Sequence, residues 1–289
     1  MVAGVDGSDE ALAAVRAATL EATRRGCGLK LVHAFVWPEF KVPTGPPEGG
    51  PPEGGLRHEA ERFLDDAAKV AAHTDPRVPI TTEVMNGAPA RVLLHQAPEA
   101  EVIVVGSRGL GGFSGLLVGS VAVQVAAYSS VPVLVIRGEE RGDGPVVLGV
   151  DASPESRAAV AEGFAEADRR GATLLAVHTW TRPVSTGPGD MLPLVYDAED
   201  VEGEERRLLS EALSGYREKH PDVTVSEQVL QRRPAPTLVD MSRTAQVVVV
   251  GSRGRGGFKG LVLGSVSQQL LHHAECPVLV VPRRMTADE

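Results

Sequence analysis

Two glycine-rich stretches of this chain carry the same residues at the same spacing. Each reads Gly-Ser-Arg-Gly, then nine residues, then Gly-Ser, over 106–120 and again over 251–265. Both stretches follow an apolar run typical of a buried strand and precede a predicted helix. Glycines at such a junction let backbone amides surround an anion, and the open amides of a helix start favour phosphate. The pattern therefore predicts a phosphate-binding loop, present twice.

Each position of the loop has a predicted role. The glycines of the two Gly-x-x-Gly segments let the main chain approach closely or adopt positive φ; they are Gly106, Gly109, Gly251 and Gly254. Gly119 and Gly264 leave free the amides of the helix that follows. Ser120 and Ser265 cap that helix or bond a phosphate oxygen. The alternative is that the glycines only form tight turns, but the repeated spacing beside an aspartate favours phosphate.

Arginine lies inside each loop, as Arg108 and Arg253. A guanidinium there either reaches a phosphate or remains solvated, and the sequence leaves both alternatives open. The second loop also contains Arg255 and Lys259, where the first has leucine and serine. We therefore expect the second phosphate site to be the more electropositive.

Asp6 and Asp151 each end the first strand of a repeat. A carboxylate at a strand end in a glycine-lined cleft can accept a ribose hydroxyl or lie close to Mg²⁺ beside phosphates. Capping of the next helix is the alternative role, although Ser8 and Ser153 are placed to supply that cap. Both aspartates are candidate binding residues.

The displacement between the two loops recurs along the whole chain. It is 145 residues for each of four pairs: Asp6 and Asp151, His33 and His178, Gly106 and Gly251, and Pro132 and Pro277. A period of this length indicates two copies of a domain. We predict domains at 1–140 and 145–289, joined by a polar, glycine-rich linker at 138–144.

Strands and helices alternate in each predicted domain, which favours an α/β fold with an open, parallel, five-stranded sheet covered on both faces, of the Rossmann-like kind. In the first domain the predicted strands are 2–5, 29–36, 78–85, 102–105 and 131–136, and the helices begin at Ser8 or span 58–73, 90–96 and 120–128. Ligands of such sheets bind beyond the carboxyl ends of the strands, where strand order reverses. The aspartate and the glycine loop should meet there.

Composition is that of a globular protein with a formal net charge of −9. The charge divides evenly, with 13 basic against 18 acidic residues in 1–145 and 16 against 20 in 146–289. This balance argues against nucleic acid and anionic membrane as partners. Cys27 and Cys276 occupy unmatched positions and give neither a disulfide framework nor a metal spacing. With no secretory signal or membrane span visible, we expect a cytoplasmic protein.

Two nucleotide-binding motifs are absent from the sequence. A P-loop requires lysine followed by Ser or Thr after its second glycine, but Gly-Phe follows Gly111 and Gly256. A dinucleotide fingerprint belongs in the first strand-to-helix turn, which here reads Asp-Gly-Ser-Asp or Asp-Ala-Ser-Pro.

The complete pattern resembles the universal stress proteins, specifically their tandem, ATP-binding branch, which share an adenine nucleotide alpha hydrolase-like fold. It comprises Gly-x-x-Gly, nine residues and Gly-Ser, together with an aspartate in a Val-Asp-Gly-Ser or Val-Asp-Ala-Ser context, and covers nearly the whole chain. The resemblance implies that the loop and serine hold phosphates, that the aspartate lies by ribose and phosphates, and that the second-strand backbone contacts adenine. Those second-strand positions are Ala34 and Thr179. Up to two ATP molecules, with Mg²⁺ near Asp6 and Asp151, are implied.

The sequence departs from that pattern at several positions. Arg232 and Arg233 stand where the first repeat has Gly87 and Ala88, the position at which the family often has glycine. The loop 42–55 is rich in proline and glycine, so we expect a mobile connection. The first predicted strand has no residue before Met1, which leaves a shortened strand or a native start upstream as alternatives. His33 and His178, inside apolar strands, are interpreted as hydrogen-bonded interior residues.

The last strand of each repeat, 132–136 and 277–281, is an apolar edge that invites pairing. Members of the resembled family pair through this strand, which implies an internal pseudo-dimer, and a homodimer of whole chains is compatible with it. The leading hypothesis is a stress-response sensor or regulator that binds ATP in each domain without assigned catalytic residues. A slow ATPase or adenylyl-transfer enzyme and an interaction module with unfilled pockets are the alternatives.

Overall fold

A computed structural model of the chain describes residues 1–36, 55–110, 118–181, 198–254 and 262–283. The first domain alternates strands and helices, and its bounds differ from those predicted by at most two residues. Its elements are β1 (Val2–Gly4), α1 (Asp9–Arg25), β2 (Leu29–Phe35), α2 (Leu56–Thr74), β3 (Ile80–Asn86), α3 (Pro89–Gln96), β4 (Ile103–Gly106), α4 (Ser120–Tyr128) and β5 (Val133–Ile136).

The second domain repeats this order. Its elements are β6 (Val146–Val150), α5 (Arg157–Arg170), β7 (Leu174–Thr179), α6 (Ala198–Arg217), β8 (Val225–Leu230), α7 (Pro234–Met241), β9 (Val247–Gly251), α8 (Ser265–His273) and β10 (Val278–Val281). Ser8 caps α1 by accepting a hydrogen bond from the Ala11 amide at 3.1 Å, which confirms the predicted cap. A serine at this position satisfies an amide that the helix cannot pair.

The ten strands of the described residues lie in one sheet, in the order β3-β2-β1-β4-β5-β10-β9-β6-β7-β8. Neighbouring strands within a domain run parallel. Chain order reverses between β1 and β4 in the first domain and between β6 and β9 in the second. These two reversals are the switch points at which ligands of parallel α/β sheets bind.

Helices cover both faces of the sheet, as the sequence predicts. Val15, Leu64 and Phe164 belong to the core on the face covered by α1, α2, α5 and α6. Val125 and Leu270 belong to the core on the other face, beneath α3, α4, α7 and α8. The central strands β5, β9 and β10 are valine-rich because strands buried on both sides carry apolar residues at nearly every position, whereas the edge strands β3 and β8 include polar residues. Each such side chain contributes about 1.5–3 kcal/mol through burial.

The two domains meet where β5 and β10 pair in antiparallel fashion. Leu134 lies opposite Leu279, and the sheet continues through this pair without interruption. All four residues of both strands are buried. The pairing covers two apolar strand edges that would otherwise be open to other chains.

A closed ring of ion pairs joins α1 to α5 on one face of this joint. Arg25 bonds Glu21 at 2.7 Å and also bonds Glu166, while Arg170 bonds Glu166 at 2.8 Å and Glu21 at 3.0 Å. Both glutamates are 1% exposed. Since Glu166 and Arg170 lie 145 residues after Glu21 and Arg25, the ring is symmetric between the domains.

The charges in the ring shift the pKa values of its members. Burial and the charge of Glu166 raise the pKa of Glu21. Burial opposes ionisation of Glu166 as well, but Arg170 and Arg25 outweigh it and lower the pKa of that carboxyl to about 2. Buried ion pairs of this kind are costly to break from one side, because the remaining partner is left as an uncompensated charge.

Arg137 holds the opposite face of the joint. Its guanidinium donates hydrogen bonds to the carbonyl oxygens of Leu270, Leu271 and His272, at the carboxyl end of α8. A cation at a helix carboxyl end satisfies open carbonyls and complements the helix dipole. The first domain thus caps a helix of the second.

Neither cysteine forms a disulfide, as the sequence predicts. Cys276 is buried, and burial raises the pKa of its thiol to about 12. None of the helices in the described part of the chain has the length and apolar character that a bilayer crossing requires. The predicted mobile loop lies outside the described residues, apart from Gly55, which precedes α2.

Candidate functional site

Strand register brings the predicted site residues of the first domain to one level. Gly4 lies opposite Val32 in the β1–β2 pair, so Asp6 and Ala34 are level two residues later. On its other side β1 pairs with β4, which ends at Gly106. The three predicted site positions therefore lie at the carboxyl edge of adjacent strands, at the switch point.

Asp6 fastens the first turn of the site to the glycine loop. Its Oδ1 accepts hydrogen bonds from the amide and the hydroxyl of Ser8, at 3.0 and 2.6 Å. Its Oδ2 accepts one from the amide of Leu110, at 2.8 Å. A single carboxylate thus holds together two segments that are about one hundred residues apart in sequence. The sequence brings Asp6 to this edge but does not show this contact.

Gly109 is required by the closeness of that carboxylate. A Cβ at residue 109 would lie 2.1 Å from Asp6 Oδ2, a distance at which one of the two groups must move. The φ of Gly109 is not in the left-handed region, whereas the φ of Gly7 is. Of the two predicted reasons for glycine here, close approach applies and positive φ does not.

The second domain reproduces this arrangement. Val150 lies opposite His178, so Asp151 and Thr179 follow at one level beside β9. Asp151 Oδ1 accepts from the amide and hydroxyl of Ser153 at 2.9 and 2.6 Å. A Cβ at Gly254 would lie 2.6 Å from Asp151 Oδ2. Both aspartates therefore lie against their glycine loops.

The turn after the aspartate differs between the domains. Gly7 occupies the left-handed region at φ +87°, and a Cβ there would lie 2.6 Å from the ring of Phe63. Its counterpart is Ala152, at φ +54°. A non-glycine residue in that region stores backbone strain of order 1 kcal/mol. The second turn tolerates a side chain where the first does not.

The helix that follows each loop begins with an exposed serine. Gly119 and Gly264 are the N-cap residues of α4 and α8, and their amides donate to the Ser107 and Ser252 carbonyls at 2.7 Å. Neither helix start has a side-chain cap. The hydroxyls of Ser120 and Ser265 therefore do not take the predicted capping role and are exposed. The first amides of both helices lack intrahelical partners by construction, so they suit an anion.

The loop arginines are held differently. Arg108 pairs with Glu10 at 3.0 Å, and 57% of its side chain is exposed. Arg253 donates from Nε to the Val262 carbonyl at 3.2 Å, a bond to a neutral group. Because the Val262 carbonyl is neutral, it does not compensate the positive charge of Arg253. Arg255 and Lys259 lie outside the described residues.

The two interior histidines share one contact and differ in another. His33 Nδ1 bonds the Val5 carbonyl at 2.8 Å, and His178 Nδ1 bonds the Val150 carbonyl at 2.7 Å. Both histidines are hydrogen-bonded, as interpreted, but only His178 is buried, whereas His33 is half-buried. His178 Nε2 also lies 2.7 Å from Glu205 Oε2, a contact that the sequence analysis missed. The available signal was the 145-residue repeat, which places Glu205 opposite Ala60.

The arginine pair that replaces glycine and alanine lies just beyond β8. Arg232 and Arg233 are exposed, and Arg233 is the N-cap residue of α7. In the first domain Gly87 adopts φ +138° and Ala88 is the N-cap residue of α3. The replacement leaves the helix start in place and adds two exposed cations between the carboxyl end of β8 and α7.

The residues fit a single magnesium contact better than a protein-built metal centre. No group of three or more His, Cys, Asp or Glu in the described residues is arranged to hold a metal. Among the described residues, Asp6 Oδ1 accepts two hydrogen bonds and Oδ2 accepts one, which leaves one lone pair of Oδ2. Mg²⁺ beside phosphates typically takes one or two carboxylates and several waters. Asp6 can supply one such ligand.

Comparisons with known proteins agree with the tandem arrangement. Residues 1–137 and 144–282 each match the model of the universal stress protein family. A universal stress protein of Mycolicibacterium smegmatis is 37% identical, over 98% of this chain and 97% of its own length. One from Mycobacterium tuberculosis strain H37Rv is 38% identical, over 97% and 96%. The crystal structure of a universal stress protein from Archaeoglobus fulgidus covers 100% of this chain and 97% of its own, with a TM-score of 0.69 and 18% identity, and supports the fold.

Proposed function

The chain belongs to the universal stress protein family, and from this premise we propose that it binds one ATP at the switch point of each domain. The contact between Asp6 Oδ2 and the Leu110 amide supports the proposal, because it ties the first-strand carboxylate to the glycine loop that leads to α4, a helix whose first amides lack intrahelical partners. The repeated approach of Asp151 to Gly254 supports a second site. Domains at 1–140 and 145–289 with a linker at 138–144 are part of this proposal.

Each group in the cleft has an assigned role. The phosphates lie against the amides that open α4 and α8 and against the hydroxyls of Ser120 and Ser265. Asp6 and Asp151 accept a ribose hydroxyl and contribute one oxygen to a magnesium ion. The chain is itself acidic and does not neutralise the charge of the phosphates. Magnesium, when bound, would supply that neutralisation.

The remaining predicted residues bound the cleft. The backbone of Ala34 and Thr179 contacts adenine at the ends of β2 and β7. Gly106 and Gly251 end the strands beneath the loops, and Arg108 and Arg253 lie at their exposed rims.

We further propose that the bound nucleotide acts as a signal and not as a substrate. Both interior histidines use Nδ1 to bond a backbone carbonyl, so neither is free at that nitrogen to act as a base. Changes in the protein that depend on the ligand then act on other molecules through its surface. In this proposal the protein lies in the cytoplasm and its two halves pair with each other. A slow ATPase on the same scaffold is the competing hypothesis.

Nucleotide release tests the proposal. Purified protein should release close to two adenine nucleotides per chain on denaturation, or bind two when ATP and magnesium are added to nucleotide-free protein. Asp6→Asn and Asp151→Asn should each remove about one equivalent, since each alters one carboxylate. Asp66→Asn, at an exposed pair with Lys69, is the matched control. Absence of both release and binding would contradict the proposal, and multiple turnover of ATP that depends on Asp6 or Asp151 would favour the enzyme.

A further inference from the structure

Within the described residues, the pair of His178 and Glu205 has no counterpart in the first domain. His178 is 3% exposed and bonds at both ring nitrogens, to the Val150 carbonyl and to Glu205. Ala60 occupies the place of Glu205 in the first domain, and the ring of His33 packs against Phe63, with ring centroids 5.7 Å apart. The same histidine therefore has two different environments in one chain.

Proton accounting assigns a charge to the second-domain pair. A carbonyl oxygen only accepts, so Nδ1 of His178 must carry a hydrogen. The 2.7 Å contact with Glu205 then needs one more hydrogen, either on Nε2 or on the carboxyl group. Because 20% of the Glu205 side chain remains in contact with solvent, the carboxylate keeps part of its hydration and the hydrogen belongs on Nε2. His178 is then an imidazolium that donates one hydrogen bond to the Val150 carbonyl and one to the Glu205 carboxylate.

Several charged groups on the elements around His178 have partners of their own within the described residues. Asp151 at the end of β6 is bonded by Ser153, and Glu202 on α6 pairs with Arg206. Glu227 on β8 pairs with Arg217, and Asp168 on α5 pairs with His220. Glu205 is the carboxylate that contacts the ring of His178.

The position of this pair connects it to the second site. His178 bonds the carbonyl of Val150, and Asp151 follows directly in the chain. Thr179, the proposed adenine contact, follows His178 itself. A change in the charge or orientation of the ring therefore acts on two binding positions at once.

We propose that His178 and Glu205 form a charged positioning pair that holds the end of β6, so that nucleotide binding at the second site depends on the proton they share and binding at the first site does not. This inference rests on the proposed function for its effect on binding. The charge on the pair, by contrast, is a property of the protein without ligand. The two parts are therefore tested separately.

Imidazole nitrogen NMR on the full chain tests the charge. With a His178→Gln variant for assignment, His178 should show protons on both ring nitrogens. Glu205→Gln should leave His178 with a proton on Nδ1 alone, and Glu202→Gln, on the same helix, should leave both protons in place. A bare Nε2 on His178 in the unaltered chain would overturn the proposal.

Calorimetry tests the effect on binding. In a Gly109→Ala background, which leaves the second site, Glu205→Gln should weaken ATP binding about tenfold near neutral pH and flatten its pH profile. In a Gly254→Ala background the same change should leave the first site unaltered. Equal affinity and an equal pH profile with and without Glu205→Gln at the second site would refute the positioning role. Loss of all binding in the unaltered chain would instead refute the proposed function, and the NMR result would still decide the charge.

Discussion

The first and second domains share a scaffold and differ where a ligand would lie. Their strands have the same order, and the carboxylates of Asp6 and Asp151 hold serine and approach glycine in the same way. Yet the second domain has Glu205 in place of Ala60 and Arg232 in place of Gly87. The differences lie on helices and loops around the cleft, which can vary without altering the strands. Two such domains can bind one class of ligand with unequal strength.

The joint between the domains follows the opposite rule. The ring of Glu21, Arg25, Glu166 and Arg170 takes the same two residue types from the same two positions of each domain. Symmetry is thus retained in the contact that both domains share, and lost in the clefts that each domain holds alone. The predictions below test this division.

The largest effect is expected at the symmetric joint. Glu21→Ala and Glu166→Ala should each lower the free energy of unfolding by about 3–5 kcal/mol, because each leaves Arg25 and Arg170 without one of two buried carboxylates. Denaturant unfolding measures both. Glu202→Ala, an exposed pair with Arg206, should change it by less than about 0.5 kcal/mol. Strongly unequal losses for the two ring variants would show that the joint is not symmetric in energy.

The glycine loops should give the next effect. Gly109→Ala should weaken binding at the first site by about a hundredfold and Gly254→Ala should weaken the second by less, because the added Cβ lies 2.1 Å and 2.6 Å from the respective carboxylate. Titration of each variant with ATP measures the site that remains and the one that is lost. Gly215→Ala, with nothing within 4 Å of the new Cβ, is the control. Unchanged affinity in both loop variants would contradict the loop assignment.

The fold was largely accessible from sequence, since apolar runs and glycine turns are local signals. Val133–Ile136 is apolar throughout and reads as a buried strand in any order of the sheet. The order of the ten strands is different in kind, because it depends on contacts between residues far apart in the chain. Only the central part of the strand order could be predicted, because the strand before the glycine loop has to lie beside the strand before Asp6 if the two are to form a pocket.

Protonation of the ring should give a smaller, pH-dependent effect. Burial and Glu166 raise the pKa of Glu21, so its contribution to stability is complete below the ordinary pKa of glutamate and is lost as pH rises through the native value. Glu166, with its pKa lowered to about 2, contributes above the ordinary value and loses that contribution only as pH falls through about 2.

The measurement follows from these opposite signs. As pH rises above the ordinary pKa of glutamate, the unfolding free energy of the unaltered chain should fall relative to that of Glu21→Gln, which cannot ionise at this position. Denaturant unfolding at several pH values compares the two. Parallel curves would mean that the ring takes up no proton over this range.

The smallest effect is expected at the loop arginines. Arg253→Ala should weaken binding at the second site about two- to threefold, and Arg108→Ala should have less effect on the first, because Glu10 already compensates Arg108. Titration at low and high salt separates the charge effect, since screening reduces it. A larger loss for Arg108→Ala would reverse the expected order of the two sites.

The parts of the site that sequence did not give are contacts between elements. The repeat placed Asp6 and Gly109 at one edge, but the bond from Leu110 to Asp6 depends on the path of the loop. The contact of His178 with Glu205 joins β7 to α6 across 27 positions in the chain, so it is not a local signal. A mismatch within a repeat, such as Glu205 against Ala60, is the kind of signal that points to such contacts.

The antiparallel pairing of β5 with β10 has a genetic consequence. In a dimer of separate identical chains, every substitution occurs on both sides of the interface. Here both sides belong to one polypeptide, so a single mutation alters one cleft and leaves the other as a built-in reference. The chain always carries one copy of each unlike half, in fixed proportion, and no exchange of subunits can restore two equal sites.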